Sequence, residues 1–180
     1  MLIMKKTFKY ILVFLLIGVV SSCKDYFELD NNPNLVVNPP LNSLLSTTTQ
    51  KTGLNNQRVA NITSYFVQYL ANPGAGGSTD TYQVTDYTST WDALYFAMAD
   101  IYDMKAKAVA EGSSQHAGVA DILMSYHLSL VSDLFGQAPY SQAFNGTTLT
   151  PAYDSEEALY AEAIRLLDEG IIELAKTDSK

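Results

Sequence analysis

Residues 117–144, AGVADILMSYHLSLVSDLFGQAPYSQAF, decide the fold. At about 100° per residue, Asp121, Ser125, Ser129 and Ser132 form a narrow polar strip. Val119, Ile122, Leu123, Tyr126, Leu130 and Leu134 form one apolar face beside it, and Met124, Leu128 and Val131 another. A helix apolar on both sides of a strip of mostly small polar residues is an interior helix. Gly136 stops it and Pro139 follows three residues on, so the chain must leave the core through Leu134-Phe-Gly-Gln-Ala-Pro-Tyr140. Helical angle places Asp133 on the apolar face beside Val119, Tyr126 and Leu130. A carboxylate there needs hydrogen bonds, and the amides of residues 135–138 or the Tyr140 hydroxyl are within reach. Asp133, Gly136, Pro139 and Tyr140 are thus expected to form a structural unit, with Asp133 fixing the exit turn.

Gly112-Ser-Ser is a short link to a preceding helix predicted over residues 90–110, with Trp91, Leu94, Tyr95, Met98, Ile101, Tyr102 and Val109 on one face. So short a link forces an antiparallel hairpin. A further helix is predicted from Gly53 to Asn72, ended by Asn72-Pro-Gly. The loop of residues 74–89 is rich in Gly, Ser, Thr and Asp yet carries Tyr82 and Tyr87, which are either pinned to the core or offered to a ligand. After the exit loop, Asp154 is expected to cap a last helix with Glu157 in the reciprocal position. Tyr160, Ile164, Leu167, Ile171 and Leu174 make its stripe. No convincing strand alternation appears. The fold class is therefore all-α, stacked helical hairpins resembling tetratricopeptide units with long irregular loops.

The amino end reads differently. Lys5, Lys6 and Lys9 precede an apolar run from Tyr10 to Val20, followed by Ser21-Ser22-Cys23, the pattern of a secretion signal over residues 1–22. The run is well short of the roughly 18 to 20 residues that span a bilayer. Cys23 is the only cysteine, so it has no disulfide partner in the chain, and Val-Ser-Ser-Cys looks like a bacterial lipobox in which that Cys is lipidated. Acyl chains contribute about 0.8 kcal/mol per buried methylene, enough for several on one Cys to hold a domain at a membrane. Residues 23–50, with Pro33, Pro39, Pro40 and many turn formers, read as an extended tether, although Leu41, Leu44 and Leu45 could start a short helix. Residues 51–180 then form the helical body.

Losing residues 1–22 removes three lysines and no acids, leaving 8 basic residues against 19 acidic ones, a net −11. Such a chain repels nucleic acid and anionic membrane surface, so membrane contact falls to the lipid. His116 and His127 are eleven apart, without Cys or carboxylate partners at ligand spacing, and read as surface or core-edge residues, not as a metal site. Gly74-Ala-Gly-Gly lacks the following Lys-Ser/Thr of a phosphate loop, and no Gly-x-Ser-x-Gly is present. No cofactor is implied. Acidic residues are plentiful, but most sit on predicted outer helix faces, where solvation is their usual role. Tyr82, Tyr87 and Trp91 are the ligand candidates, since aromatic rings offer flat apolar surface to sugar C–H faces. For Trp91, packing within the apolar stripe is the competing role.

These pieces in order resemble one family: Cys23, then Asp30-Asn-Asn-Pro-Asn34, Trp91-Asp-Ala-Leu-Tyr95, Asp133-Leu-Phe-Gly-Gln-Ala-Pro-Tyr-Ser-Gln-Ala143 and Pro151-Ala-Tyr-Asp154. The chain is similar to the SusD/RagB family of nutrient-binding outer-membrane lipoproteins. The resemblance implies a non-enzymatic, surface-exposed lipoprotein of Bacteroidetes-type bacteria, carrying palmitate or a similar acyl chain on Cys23. It further implies a SusC-like TonB-dependent transporter as partner and a glycan or peptide nutrient as ligand. Family members are considerably longer, so the chain is expected to be an amino-terminal portion whose last helix leaves an apolar patch exposed. A helical scaffold lipoprotein that binds proteins only, and a surface glycosidase, are the other function classes.

Overall fold

In the computed structural model, residues 36–74 and 76–178 are described, and they contain four α-helices. Helix α1 spans Leu41–Phe66, α2 Thr88–Glu111, α3 Ser114–Phe135 and α4 Glu156–Leu174. Residues from Pro40 onward form one compact unit. The signal segment, Cys23 and residues 24–35 of the expected tether lie outside the described residues.

Contacts between successive helices run in opposite order along the chain, which makes every neighbouring pair antiparallel. Thr48, Lys51 and Asn55 of α1 meet Met104, Asp100 and Ala93 of α2, respectively. Lys105 of α2 meets Asp121 of α3, while the Ser125 hydroxyl of α3 donates to the Ala163 carbonyl of α4 at 2.7 Å. The α2–α3 link is tighter than a loop. Gly112 takes φ +68°, and the Ser113 amide closes on the Ala108 carbonyl at 2.8 Å, the left-handed cap that Gly adopts without a Cβ penalty. Leu94, Met98, Ile101 and Met104 from α2, Leu128 and Val131 from α3 and Leu159 and Leu166 from α4 form the core.

Three expectations are corrected. Helix α1 begins at Leu41, inside the stretch read as tether, because Leu41, Thr48 and Asn55 all have buried positions to fill against the other helices. It also ends at Phe66, before Asn72-Pro-Gly. Gln68 adopts φ +60° and the Tyr69 amide reaches back to the Ser64 carbonyl at 2.9 Å, a cap made without glycine. Finally, the polar strip of α3 is buried at Asp121, Ser125 and Ser132 alongside Met124, Leu128 and Val131. Asp121 and Ser125 are 1% and 3% exposed, whereas Tyr126 on the supposed core face is 37% exposed. Small side chains let α4 approach there. Correspondingly, α4 buries Leu159, Ala163, Leu166 and Gly170, and the stripe of Tyr160, Ile164, Leu167 and Ile171 lies exposed, as an outward apolar patch.

Buried His127 and Asn55 are matched inside this core, whereas the Ser132 hydroxyl has no hydrogen-bond partner among the described residues. His127, fully buried, sets Nδ1 2.8 Å from the Leu123 carbonyl and Nε2 3.5 Å from Asn55 Nδ2, whose other proton reaches the Ala93 carbonyl at 3.0 Å. A neutral ring protonated on Nδ1 satisfies this chain, which ties α1, α2 and α3 together. The core-edge expectation for His127 is thus corrected to a core position. His116 lies in the first turn of α3 between Ser113 Oγ and Asn42 Oδ1.

Candidate functional site

The exit from α3 is built on Gly136, whose φ of +75° admits no ordinary side chain, and a Cβ there would lie 2.8 Å from Glu156 Oε1. Pro139 is buried, and its carbonyl accepts the Tyr95 hydroxyl at 2.8 Å, tying the turn to α2. What holds the turn is Asp154, not Asp133. Asp154 Oδ2 accepts the amides of Tyr140 and Ser141, each at 2.8 Å, and Oδ1 accepts the Ser141 hydroxyl at 2.6 Å. Its backbone pairs with Ala138 in both directions, at 3.3 and 3.0 Å. Asp133 is exposed and accepts the Tyr160 hydroxyl instead. The reason is local: Gly136 turns the following amides away from the last turn of α3 and toward the strand-like stretch before α4. Asp154 is therefore spent on the loop, and Ser155 caps α4 by accepting the Ala158 amide at 3.2 Å. Glu156 and Glu157 in the first turn complement the helix dipole.

The three ligand candidates do not form one array. Tyr82 sits at φ +53° with its hydroxyl on the Phe66 carbonyl at 3.0 Å and its ring 5.8 Å from that of Phe66. It is 61% exposed, so the loop is pinned to the end of α1 while the ring face stays open to solvent. The same loop is tied down by Asp80, which accepts the Asn72 amide, and by Asp86, which caps the entry to α2 through Thr88. Tyr87 stands at the N-cap of α2, half-buried, its hydroxyl buried and unpartnered among the described residues. Trp91 stacks on Tyr95 at 4.6 Å, meets Phe135 edge-on at 5.1 Å and faces Tyr153 at 6.4 Å.

Trp91 and Tyr95 open a row of rings that the sequence only partly disclosed. Phe144, from the exit loop, lies 6.1 Å from Tyr95, 5.8 Å from Tyr102 and 6.5 Å from Tyr140. Trp91, Tyr95 and Tyr102 were recognisable as one face of α2, but nothing in local periodicity ties loop residues 144 and 153 to it. Burial pushes the hydroxyls of Tyr95 and Tyr140 well above the usual tyrosine range, with neighbouring acidic groups adding to the shift. They act as hydrogen-bond donors, not as acids. Among the described residues, no group of three or more His, Cys, Asp or Glu side chains could hold a metal ion.

Stacked antiparallel helical hairpins carrying an aromatic loop system define the class of the protein. The sequence model of the SusD-like family, described as starch-binding and associating with the outer membrane, matches residues 32–180, and the chain belongs to that family. Among solved structures, the chain is similar to a SusD/RagB family protein from Bacteroides thetaiotaomicron VPI-5482, with TM-score 0.70 and 20% identity. That match covers 78% of this chain and 32% of the other, so this chain spans about a third of the length of that relative. At this identity the likeness speaks for the fold. No curated protein matches the chain.

Proposed function

We propose that the chain is a non-catalytic, cell-surface nutrient-binding lipoprotein, held at the outer membrane through acylated Cys23 and serving a SusC-like TonB-dependent transporter. The observation that carries the proposal is membership of a family described as starch-binding and outer-membrane-associated. The anchor reading draws on the lipobox. No described helix is long and apolar enough to cross a membrane, which is compatible with an acyl anchor. A glycan is the favoured nutrient class, because the open face of Tyr82 offers the flat apolar surface that sugar C–H groups prefer.

The proposal is tested in two parts. Cys23→Ala should move the protein from the membrane to the soluble fraction, and continued membrane retention would refute the anchor. In affinity electrophoresis on starch, mobility should be retarded and Tyr82→Ala should reduce the retardation. Turnover of the glycan, abolished by one carboxylate substitution, would instead favour a glycosidase.

A further inference from the structure

The exit loop forms a cleft that the Tyr82 loop does not share. It has a volume of about 370 Å³ and opens between α2, the loop and α4, with Tyr102, Tyr140, Phe144, Asn145, Leu159 and Glu162 among its lining. That lies near the lower end of the about 300–1,000 Å³ typical of small-ligand sites, room for a sugar ring.

The rings are held in place. Phe144 adopts φ +64°, rare for an aromatic residue, and hydrogen bonds on either side fix it: the Ala143 amide donates to the Tyr140 carbonyl at 2.9 Å and the Asn145 amide to the Ala143 carbonyl at 2.8 Å. Tyr102 is 40% exposed, leaving its ring accessible beside Phe144.

Charge narrows the ligand class. Both carboxylates in the cleft are already balanced. Asp154 accepts two amides and a hydroxyl, and Glu162 accepts Arg165 through Nε and Nη2, each at 2.7 Å. A phosphate or uronate would face those carboxylates with Arg165 already engaged by Glu162 and Glu169. A lysine or arginine side chain would find Glu162 occupied and Arg165 repelling it. A neutral, hydroxyl-bearing ring meets neither obstacle: aromatic faces take its C–H side, while Tyr140 Oη, Asn145 and the Glu162 oxygens can exchange hydrogen bonds with its hydroxyls.

We propose that this cleft is a binding subsite for a neutral pyranose ring of a glycan, with Tyr102 and Phe144 as stacking surfaces. The inference rests on the glycan reading above and adds to it a second position, separate from Tyr82. The test uses the lipid-free full chain and maltohexaose, the glycan type in the family description, followed by NMR of aromatic ring protons. Saturable shifts of the Tyr102 and Phe144 rings are expected, with about tenfold weaker affinity in Tyr102→Ala. Tyr102→Leu, which keeps apolar bulk at this exposed position but removes the ring face, should weaken binding comparably at an unchanged thermal transition, which guards against a folding defect in the first variant. Shifts confined to Tyr82 and Tyr87, with both variants binding normally, would overturn the subsite and leave the glycan reading standing. Silence toward maltohexaose throughout would overturn both, and ring shifts with a lysine tripeptide alone would replace the sugar with a cationic peptide.

Discussion

Gly118 of α3 and Gly170 of α4 stand backbone to backbone. A Cβ on Gly118 would lie 2.8 Å from the Gly170 carbonyl oxygen, and one on Gly170 would lie 2.9 Å from the Gly118 carbonyl oxygen. Gly in a helix interior usually destabilises by about 0.8–1.0 kcal/mol relative to Ala. Here the sign reverses, because backbone cannot yield as a flexible side chain can. Gly118→Ala and Gly170→Ala should each destabilise by about 1–3 kcal/mol in chemical denaturation, the range of overpacked cores. Gly53→Ala is the control. Nothing lies within 4 Å of a Cβ at Gly53 in α1, so that change should stabilise.

Lys105 and Asp121 form the ion pair that joins α2 to α3, with Glu169 of α4 3.8 Å from the lysine Nζ. The Asp121 side chain is 1% exposed, while Lys105 keeps contact with solvent. Burial raises the Asp121 carboxyl above its ordinary value, and Lys105 pulls it back. Lys105→Met should therefore approach the about 3–5 kcal/mol loss seen when one partner of a buried pair is removed. The double variant Lys105→Met with Asp121→Leu should recover much of that loss. If the single variant unfolds at the same denaturant concentration as the parent, the pair is only ornamental.

Asp154 takes the turn-fixing role that helical angle suggests for Asp133. Asp154→Asn should accelerate hydrogen exchange at the Tyr140 and Ser141 amides and cost about 1–2 kcal/mol, whereas Asp133→Asn should leave those amides unchanged. Burial pushes the Asp154 carboxyl up, but the Ser141 hydroxyl and the Ser141 and Tyr140 amides outweigh it and hold it below the usual range. A depressed carboxyl stabilises the fold fully above its unfolded value of about 3.9 and loses that contribution as pH falls through the lower folded value. Asp154→Asn should remove this part of the acid-side transition.

His127 gives the opposite pH window. Burial lowers its pKa, opposed by the bond to the Leu123 carbonyl, so the folded chain prefers the neutral ring. The unfolded chain takes up the proton first. Stability is therefore complete above about pH 6.5 and declines as pH drops below it toward the folded value. His127→Gln should flatten the fall of the denaturation midpoint below about pH 6.5, at lower overall stability.

Much of the fold is legible in the chain because strong signals act locally. Gly112 and Gly136 mark real helix ends, and the α2–α3 hairpin follows from the brevity of its link. Which face of α3 turns inward is not legible from hydropathy, because closeness of approach decides it. Asp121, Ser125 and Ser132 rank as polar, yet their small volume, together with Ala163 and Gly170 opposite, lets two helices meet with Lys105 serving the one charge. The site is harder still. Tyr82 is readable as an aromatic in a polar loop, but the placement of Phe144 against Tyr102 is a tertiary event, fixed by Asp154 gathering residues more than ten positions away.

The paired hydrogen bonds between Ala138 and Asp154 close the intervening residues into a clasped Ω-shaped loop. Once its stem is clasped, lengthening such a loop costs little, about 0.6 kcal/mol for each doubling. The helices behind it need not register the change. With Phe144 and Tyr153 packed on α2, this makes residues 145–152 a module in which length and side chains can diversify while the scaffold stays constant, so ligand preference can evolve there independently of folding.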